Sequence, residues 1–204
     1  MLFLGVLLLA PLFNAAAAPQ PVSLAGQLLV ASPDIGDPRF RHAVILMVQH
    51  DSKGALGIVI NRPVEELPLA KLMQALGQDS KGVVGTVRIH AGGPVQPQKG
   101  FIVHSAEYHR AETIDIDGQL AVTGSPEVLR DIGHGKGPKQ SLVAFGYAGW
   151  GPSQLEEEMT RHGWFAVAAE PKLLFDTPTD ERWSGAFRGA GIDPRLLSSE
   201  AGAA

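Results

Sequence analysis

Apolar residues follow two spacings along this chain. Early on they come in short continuous runs: "GQLLVAS" (26–32), "HAVILMVQH" (42–50) and "ALGIVIN" (55–61). Runs of this length bounded by turn residues read as strands, the second of them buried on both faces. The turn "DSKG" (51–54) predicts a hairpin between the second and third runs, closed by Pro63, and "PDIGDPRF" (33–40) is loop chemistry. The spacing then changes: Leu67, Leu69, Leu72, Met73 and Leu76 predict a short amphipathic helix ending at Gly77. "TVRIHAGGPV" and "GFIVHS" predict two more strands around a glycine-proline turn. "TIDIDGQLAVTG" (113–124) alternates apolar and polar residues about Asp117-Gly118, the strongest hairpin signal in the chain. Ser125 is expected to cap a short helix with Pro126 at its first position. The loop "GHGKGPK" (133–139) leads into the apolar run "SLVAFGYA", and helices are expected near 153–162 and 179–189. Strands crowd the first half and helices are inserted singly, weighted to the C-terminal half. That order favours an α+β fold over regular βαβ alternation.

The ends differ from this pattern. Residues 1–18 hold an apolar run, Leu2 to Phe13, followed by small alanines. The run is too short to span a bilayer and has the length of a signal-peptide apolar region. Cleavage after Ala17 would place small residues at both recognition sites, so export to the periplasm is the expectation. Against it, no Lys or Arg precedes Arg39, and the alternative is a misassigned start and a cytoplasmic chain. Residues 19–24 read as a linker, 25–190 as a single domain and 191–204 as a C-terminal tail.

Composition narrows the chemistry. The 204 residues are 45% apolar and 19% charged, which is globular and not disordered. The net charge is −4, and the basic residues form no run, so no overall field draws in nucleic acid or an anionic membrane. There is no cysteine, hence no disulfide, thiol nucleophile or thiolate metal site. No serine sits in a G-x-S-x-G elbow, and "GHGKG" lacks both the third glycine of G-x-G-x-x-G and a G-K-[ST]. His104, Glu107 and His109 are chemically sound metal ligands, but they match no recognised zinc spacing, so no metal or cofactor is expected. His42 and His50 would lie about 27 Å apart on one face of an undistorted strand. Asp115 and Asp117 read as hairpin polar positions.

One stretch, "GYAGWGPSQLEEEM" (146–159), looks like a binding site. Ser153 and Glu156 form a Ser-x-x-Glu capping box that opens a helix, with Leu155 and Met159 facing the core. The three glutamates then read as a solvated first turn. Tyr147 and Trp150, among glycines, either wedge a turn or wall a pocket.

At these residues the chain resembles the bacterial YqgE/AlgH family. The matching pieces are "DPRFRHAV" (37–44), "GALGIVINRP" (54–63), "AGGPV" (91–95), "GFIVH" (100–104), "GYAGWGPSQLEEEM" (146–159), "GWFA" (163–166) and "LFDTPTDERW" (174–183). The resemblance implies an α+β domain with a large, flattened, mixed β-barrel-like sheet and peripheral helices. It also implies a cytoplasmic location. It carries no catalytic residue set. One branch is named as a regulator of alginate synthesis, which implies a regulatory role. Many members carry a cysteine where this chain has Val48.

Three functions compete. The leading one is a non-enzymatic regulatory domain that binds a small ligand or a protein partner. The second is an enzyme whose pocket is assembled only by the fold, with His50, Asn61, His90, His104, Tyr147 and Trp150 as candidates. The third is a nucleic-acid-binding regulator using Arg39, Arg41 and Arg62. Convergence of the histidines and aromatics on one concave pocket is the discriminating observation.

Overall fold

Alternation along the central strands, broken at a few irregularities, builds a sheet with two buried faces. The computed structural model describes residues 22–197; the signal-like segment 1–18 lies outside them. The strands are β1 (Gln27–Ala31), β2 (Val44–Asp51), β3 (Gly54–Val59), β4 (Pro63–Pro68), β5 (Thr86–Ala91), β6 (Val95–Ser105), β7 (Ile114–Asp115), β8 (Leu120–Thr123), β9 (Ser141–Trp150) and β10 (Trp164–Ala168). The helices are α1 (Leu69–Ala75), α2 (Glu127–Gly133), α3 (Gln154–Thr160), α4 (Pro171–Phe175) and α5 (Arg182–Gly189). The main path of the curled sheet runs β10-β1-β2-β3-β9-β6-β8-β7, and β5, carrying β4, joins the free flank of β9. All pairings are antiparallel except β5 with β9, so the sheet is mixed. This is the α+β, barrel-like architecture that the resemblance implies.

Inside the curl lie Leu28, Val30, Val44, Leu46, Val103, Leu120 and Leu142, closed off by Leu174 of α4 and Phe187 of α5. The intervening residues face outward and are covered in two patches. Leu29, Ile45, Met47 and Val59 pack under Leu155 of α3, and Ile89, Ile102 and Val143 pack under Leu72 and Met73 of α1 and Leu129 of α2. A continuous apolar run is the sequence form of a strand covered on both sides.

Strand β9 joins these regions. Its first half, Val143–Phe145, pairs with β5, and its second half, Ala148–Trp150, pairs with β3, while β6 lines its other edge. The change of neighbour takes place at Gly146, which has φ +77°. There the Gly92-Gly93 link crosses β9 at backbone distance. A Cβ on Gly93 would lie 2.1 Å from the Tyr147 carbonyl carbon, and one on Gly146 would lie 2.3 Å from the Gly93 oxygen. The Gly92 N–H donates to Phe145 O (2.7 Å), and Gly92 O accepts from the Val59 N–H (2.8 Å).

Several expectations need correction. The glycine stretch 146–151 is not a turn, because β9 runs through it to Trp150. Pro63 does not merely close a hairpin; it opens the edge strand β4, where its missing N–H is tolerated. Ser125 makes no side-chain cap: Pro126 occupies the N-cap position of α2, and the Ser125 hydroxyl donates to the Glu127 carboxylate instead. Residues in the segment read as a linker, Ser23 and Leu24, bind His50. Ile192 and Leu197, in the segment read as a tail, pack on the core. The 113–124 hairpin forms as read, pairing Ile114 with Val122 and Asp115 with Ala121, with Gly118 at φ +76°.

The glycine crossing yields a stability prediction. Gly93→Ala is expected to lower the unfolding free energy by at least about 3 kcal/mol, since left-handed strain adds to a backbone collision that no rotamer relieves. Gly77→Ala, at φ +70° with nothing within 4 Å of the added carbon, should lose only about 1–2 kcal/mol. Urea denaturation of the two variants side by side makes the comparison; equal losses would mean that the crossing carries no special constraint.

Candidate functional site

Two local irregularities aim side chains at α3. In β2 the register against β3 slips between Met47 and Gln49, leaving Val48 as the bulged residue. The slip places His50 opposite Ala55, on the outer face with Ile45 and Met47; simple alternation from Leu46 would have placed it inside. Gly146 does the same in β9. Before it, the odd residues Val143 and Phe145 face outward; after it, the even residues Ala148 and Trp150 do. Ala55 pairs with both His50 and Trp150, so the three form one cross-strand row beneath α3.

The three glutamates of α3 serve this row and its surroundings. His50 Nδ1 accepts the Leu24 N–H (3.1 Å), which leaves the proton on Nε2 to be donated to Glu156 (3.0 Å). Glu157 pairs with Arg161 (3.4 Å) on the exposed face. Glu158 Oε2 accepts both the Trp150 indole N–H (3.0 Å) and that of Trp164 (2.8 Å), and its Oε1 accepts from Gln154 (2.9 Å). The expectation of a solvated first turn is therefore corrected for Glu156 and Glu158: tertiary packing brings buried donors to them. The capping box is corrected too. Ser153 sits at the N-cap with φ 61° and no side-chain cap hydrogen bond. A left-handed residue cannot aim its hydroxyl along the first turn. The Gly151 N–H is satisfied by Gln154 Oε1 (3.0 Å) instead.

Beside this row opens a cleft of about 670 Å³, bounded by the 32–40 loop, Pro94, Val95, the end of β9, α3 and the start of β10. Its aromatic wall is Trp150, Trp164 and Phe40, stacked edge to face at 5.9 Å and 5.5 Å between ring centres. Arg39, Arg161 and His162 stand at the rim. Arg39 is tied to Asp37 (2.7 Å), and that hydrogen bond holds the Asp37 carboxyl below its ordinary value.

The six candidate residues do not converge on one site; only Tyr147 and Trp150 share a cavity, an open depression beside the β2–β3 turn that none of the candidate histidines lines. Trp150 walls the cleft; His50 lies two strands away in the same row and outside it. Tyr147 lies against Phe101 on the inner face. Asn61 is structural: its Oδ1 accepts the Val44 N–H (2.9 Å) and its Nδ2 donates to His42 O (2.8 Å). His104 is buried between Ser105 O (3.0 Å) and Thr123 Oγ1 (2.9 Å), and Glu107 is spent on the Lys139 N–H (2.6 Å). His90 lines a different, smaller cavity with Arg182. None of the five main cavities among the described residues is lined by two of the candidate histidines. Arg62 donates to Arg41 O (3.2 Å), and burial holds its guanidinium below its ordinary value, so Arg39 and Arg62 of the nucleic-acid reading are partly committed to the protein, and Arg41 takes part there through its backbone carbonyl. Sequence reasoning missed Phe40, Trp164 and Arg182 as site residues. The first two had a signal, as aromatics inside stretches already singled out; Arg182 also lies in such a stretch, 174–183, but no local pattern marks it as a buried charge.

A family model described as AlgH-like matches residues 28–195. A UPF0301 protein of Sphingopyxis alaskensis is 45% identical over 184 residues, covering 90% of this chain and 98% of that protein; one from Rhizorhabdus wittichii is 47% identical over the same shares. The solution structure of the AlgH protein from Pseudomonas aeruginosa is similar at 37% identity, with a TM-score of 0.71 over 88% of this chain and 95% of that one. A Corynebacterium diphtheriae protein, 21% identical, shares the fold with a TM-score of 0.67.

Two substitutions test this reading of α3. Ser153→Gly should stabilise the protein by about 1 kcal/mol by relieving the left-handed backbone, and Ser153→Ala should stay within about 0.5 kcal/mol of the parent. A loss of a kilocalorie or more in the alanine variant would restore the hydroxyl cap. Glu158→Leu should lose about 2 kcal/mol or more, because two indole donors are left without their acceptor. Thermal and urea unfolding report both.

Proposed function

The chain belongs to the AlgH-like family, and from that premise we propose that it is a non-enzymatic binding domain with a regulatory role, whose ligand site is the aromatic cleft beneath α3. The observation that carries this reading is where the family-like stretches fold. Four of them, 37–44, 91–95, 146–159 and 163–166, each supply wall residues: Arg39 and Phe40, Pro94 and Val95, Trp150 and Glu158, and Trp164. The cleft volume falls in the range of about 300–1,000 Å³ typical of small-molecule sites. Its wall is preorganised, since Glu158 locks both indoles, and a rigid aromatic wall suits a ligand with a planar apolar body. Glu158 is already engaged by three donors, which favours binding over proton transfer there. The dispersal of His50, His90 and His104 over separate places favours this reading over the enzyme alternative.

The test is a small-molecule screen followed by nitrogen–proton NMR. Bound compounds should shift the indole N–H signals of Trp150 and Trp164 more than that of Trp183, which donates to Ala31 O (2.8 Å) and does not line the cleft. Binders that move Trp183 alone, or neither cleft indole, would overturn the assignment.

A further inference from the structure

Arg182 is the most deeply buried cation among the described residues. It sits at the start of α5, 5% exposed, with Nε donating to Thr177 O (3.0 Å) and Nη1 to Ile60 O. No carboxylate among the described residues pairs with it, and the charge that acts on it, Arg88, is repulsive. Burial pushes its guanidinium down to about 10, which still leaves it charged at neutral pH. A buried charge without a counter-charge costs several kcal/mol. Natural proteins break such rules chiefly at functional sites, and an anion would supply the missing partner.

A second, independent irregularity belongs to another residue that lines the same cavity of about 210 Å³. His90, 4% exposed, has its Nδ1 3.2 Å from Val143 O. A carbonyl only accepts, so Nδ1 carries the proton and Nε2 is a bare acceptor in the neutral ring. Nε2 is buried and has no hydrogen-bond partner among the described residues. Burial, and then the charges of Arg182 and Arg88, hold His90 below its ordinary value, which keeps it in that neutral, accepting form. Ser141 and Thr86 add hydroxyls to the lining, and Arg88, paired with Glu66 (3.0 Å), stands among the lining residues with an exposed side chain.

The geometry points to a second site, separate from the aromatic cleft: the cavity between β5, the start of β9 and α4–α5 binds a small oxyanion that carries its own proton, of the hydrogenphosphate type. Arg182 anchors the anionic oxygens, and His90 Nε2 accepts the anion's O–H. The volume is below that of drug-sized sites, which suits a compact anion. The bare acceptor sets the specificity. Sulfate has the shape and charge of hydrogenphosphate but no proton, so it would set a lone pair against a lone pair at His90.

Titration of the full chain with inorganic phosphate and with sulfate, at about pH 8 where His90 is neutral and at matched ionic strength in chloride, tests the proposal. The readouts are melting temperature and the NMR signals of His90 and Arg182. Phosphate should raise the melting temperature saturably and move both side-chain signals, and sulfate should bind at least tenfold more weakly. Methyl phosphate, whose dianion lacks the O–H, should behave like sulfate. His90→Leu should abolish the preference for phosphate while leaving weak binding. Arg182→Met should abolish binding of both anions; because it also removes the bonds to Ile60 and Thr177, Arg182→Lys serves as the folded control that retains weakened binding. Equal responses to phosphate and chloride, equal affinity for sulfate, or an unchanged preference in His90→Leu would each overturn the site. The cleft indoles Trp150 and Trp164 should stay still in this titration, so its failure is separable from failure of the cleft assignment; phosphate that moved those indoles and not His90 would also overturn it.

Discussion

The crossing of Gly92-Gly93 over Gly146 is the contact on which the rest of the molecule depends. Two backbones meet there with less room than one methyl group requires. Close approach lets β9 change partners in mid-strand, from the parallel β5 to the antiparallel β3, without ending the sheet. Because Gly146 adopts a left-handed conformation, the same point also reverses which side chains of β9 face outward. The outer surface is thereby divided in two: one patch under α1 and α2, and another under α3. The aromatic cleft and the Arg182–His90 cavity fall on opposite sides of this division.

Side-chain aim in this fold is set by irregularity more than by alternation. The slip at Val48 turns His50 outward, and Gly146 turns Trp150 outward; both then meet a glutamate of α3. A row of His50, Ala55 and Trp150 under one short helix would not exist with either strand regular. The helix itself is seven residues long and lacks a side-chain cap, so little of its stability is intrinsic. Leu155 in the outer core and the bonds of Glu156 and Glu158 hold it in place.

The two cavities differ in how their polar groups are satisfied. In the aromatic cleft, the Glu158 carboxylate is fully engaged by protein donors and the rings are fixed by one another, as in a preorganised wall. In the smaller cavity, among the described residues, a buried guanidinium lacks an ion-pair partner and a buried imidazole nitrogen lacks a hydrogen bond. Buried polar groups are nearly always paired. The first arrangement suits shape-based recognition, and the second suits recognition by charge and proton position.

What the sequence determined by itself was whatever depends on neighbours a few residues apart. Apolar runs, turn residues and the switch to helical spacing located β1, β2, β3, α1, β9 and the 113–124 hairpin, and the quoted stretches located the family. Tertiary structure decided the rest. The Ser153 hydroxyl looked like a cap because cap geometry is local, but the bend that joins β9 to α3 forces Ser153 left-handed. The glutamates looked solvated because no local signal reveals that His50, more than a hundred residues earlier, and two indoles will arrive beside them. His90 and Arg182, far apart along the chain, share a cavity only because α5 docks against the sheet. Periodicity reports which face of an element is apolar. It cannot report a one-residue slip or a distant partner, because both are fixed by the energy of the assembled sheet.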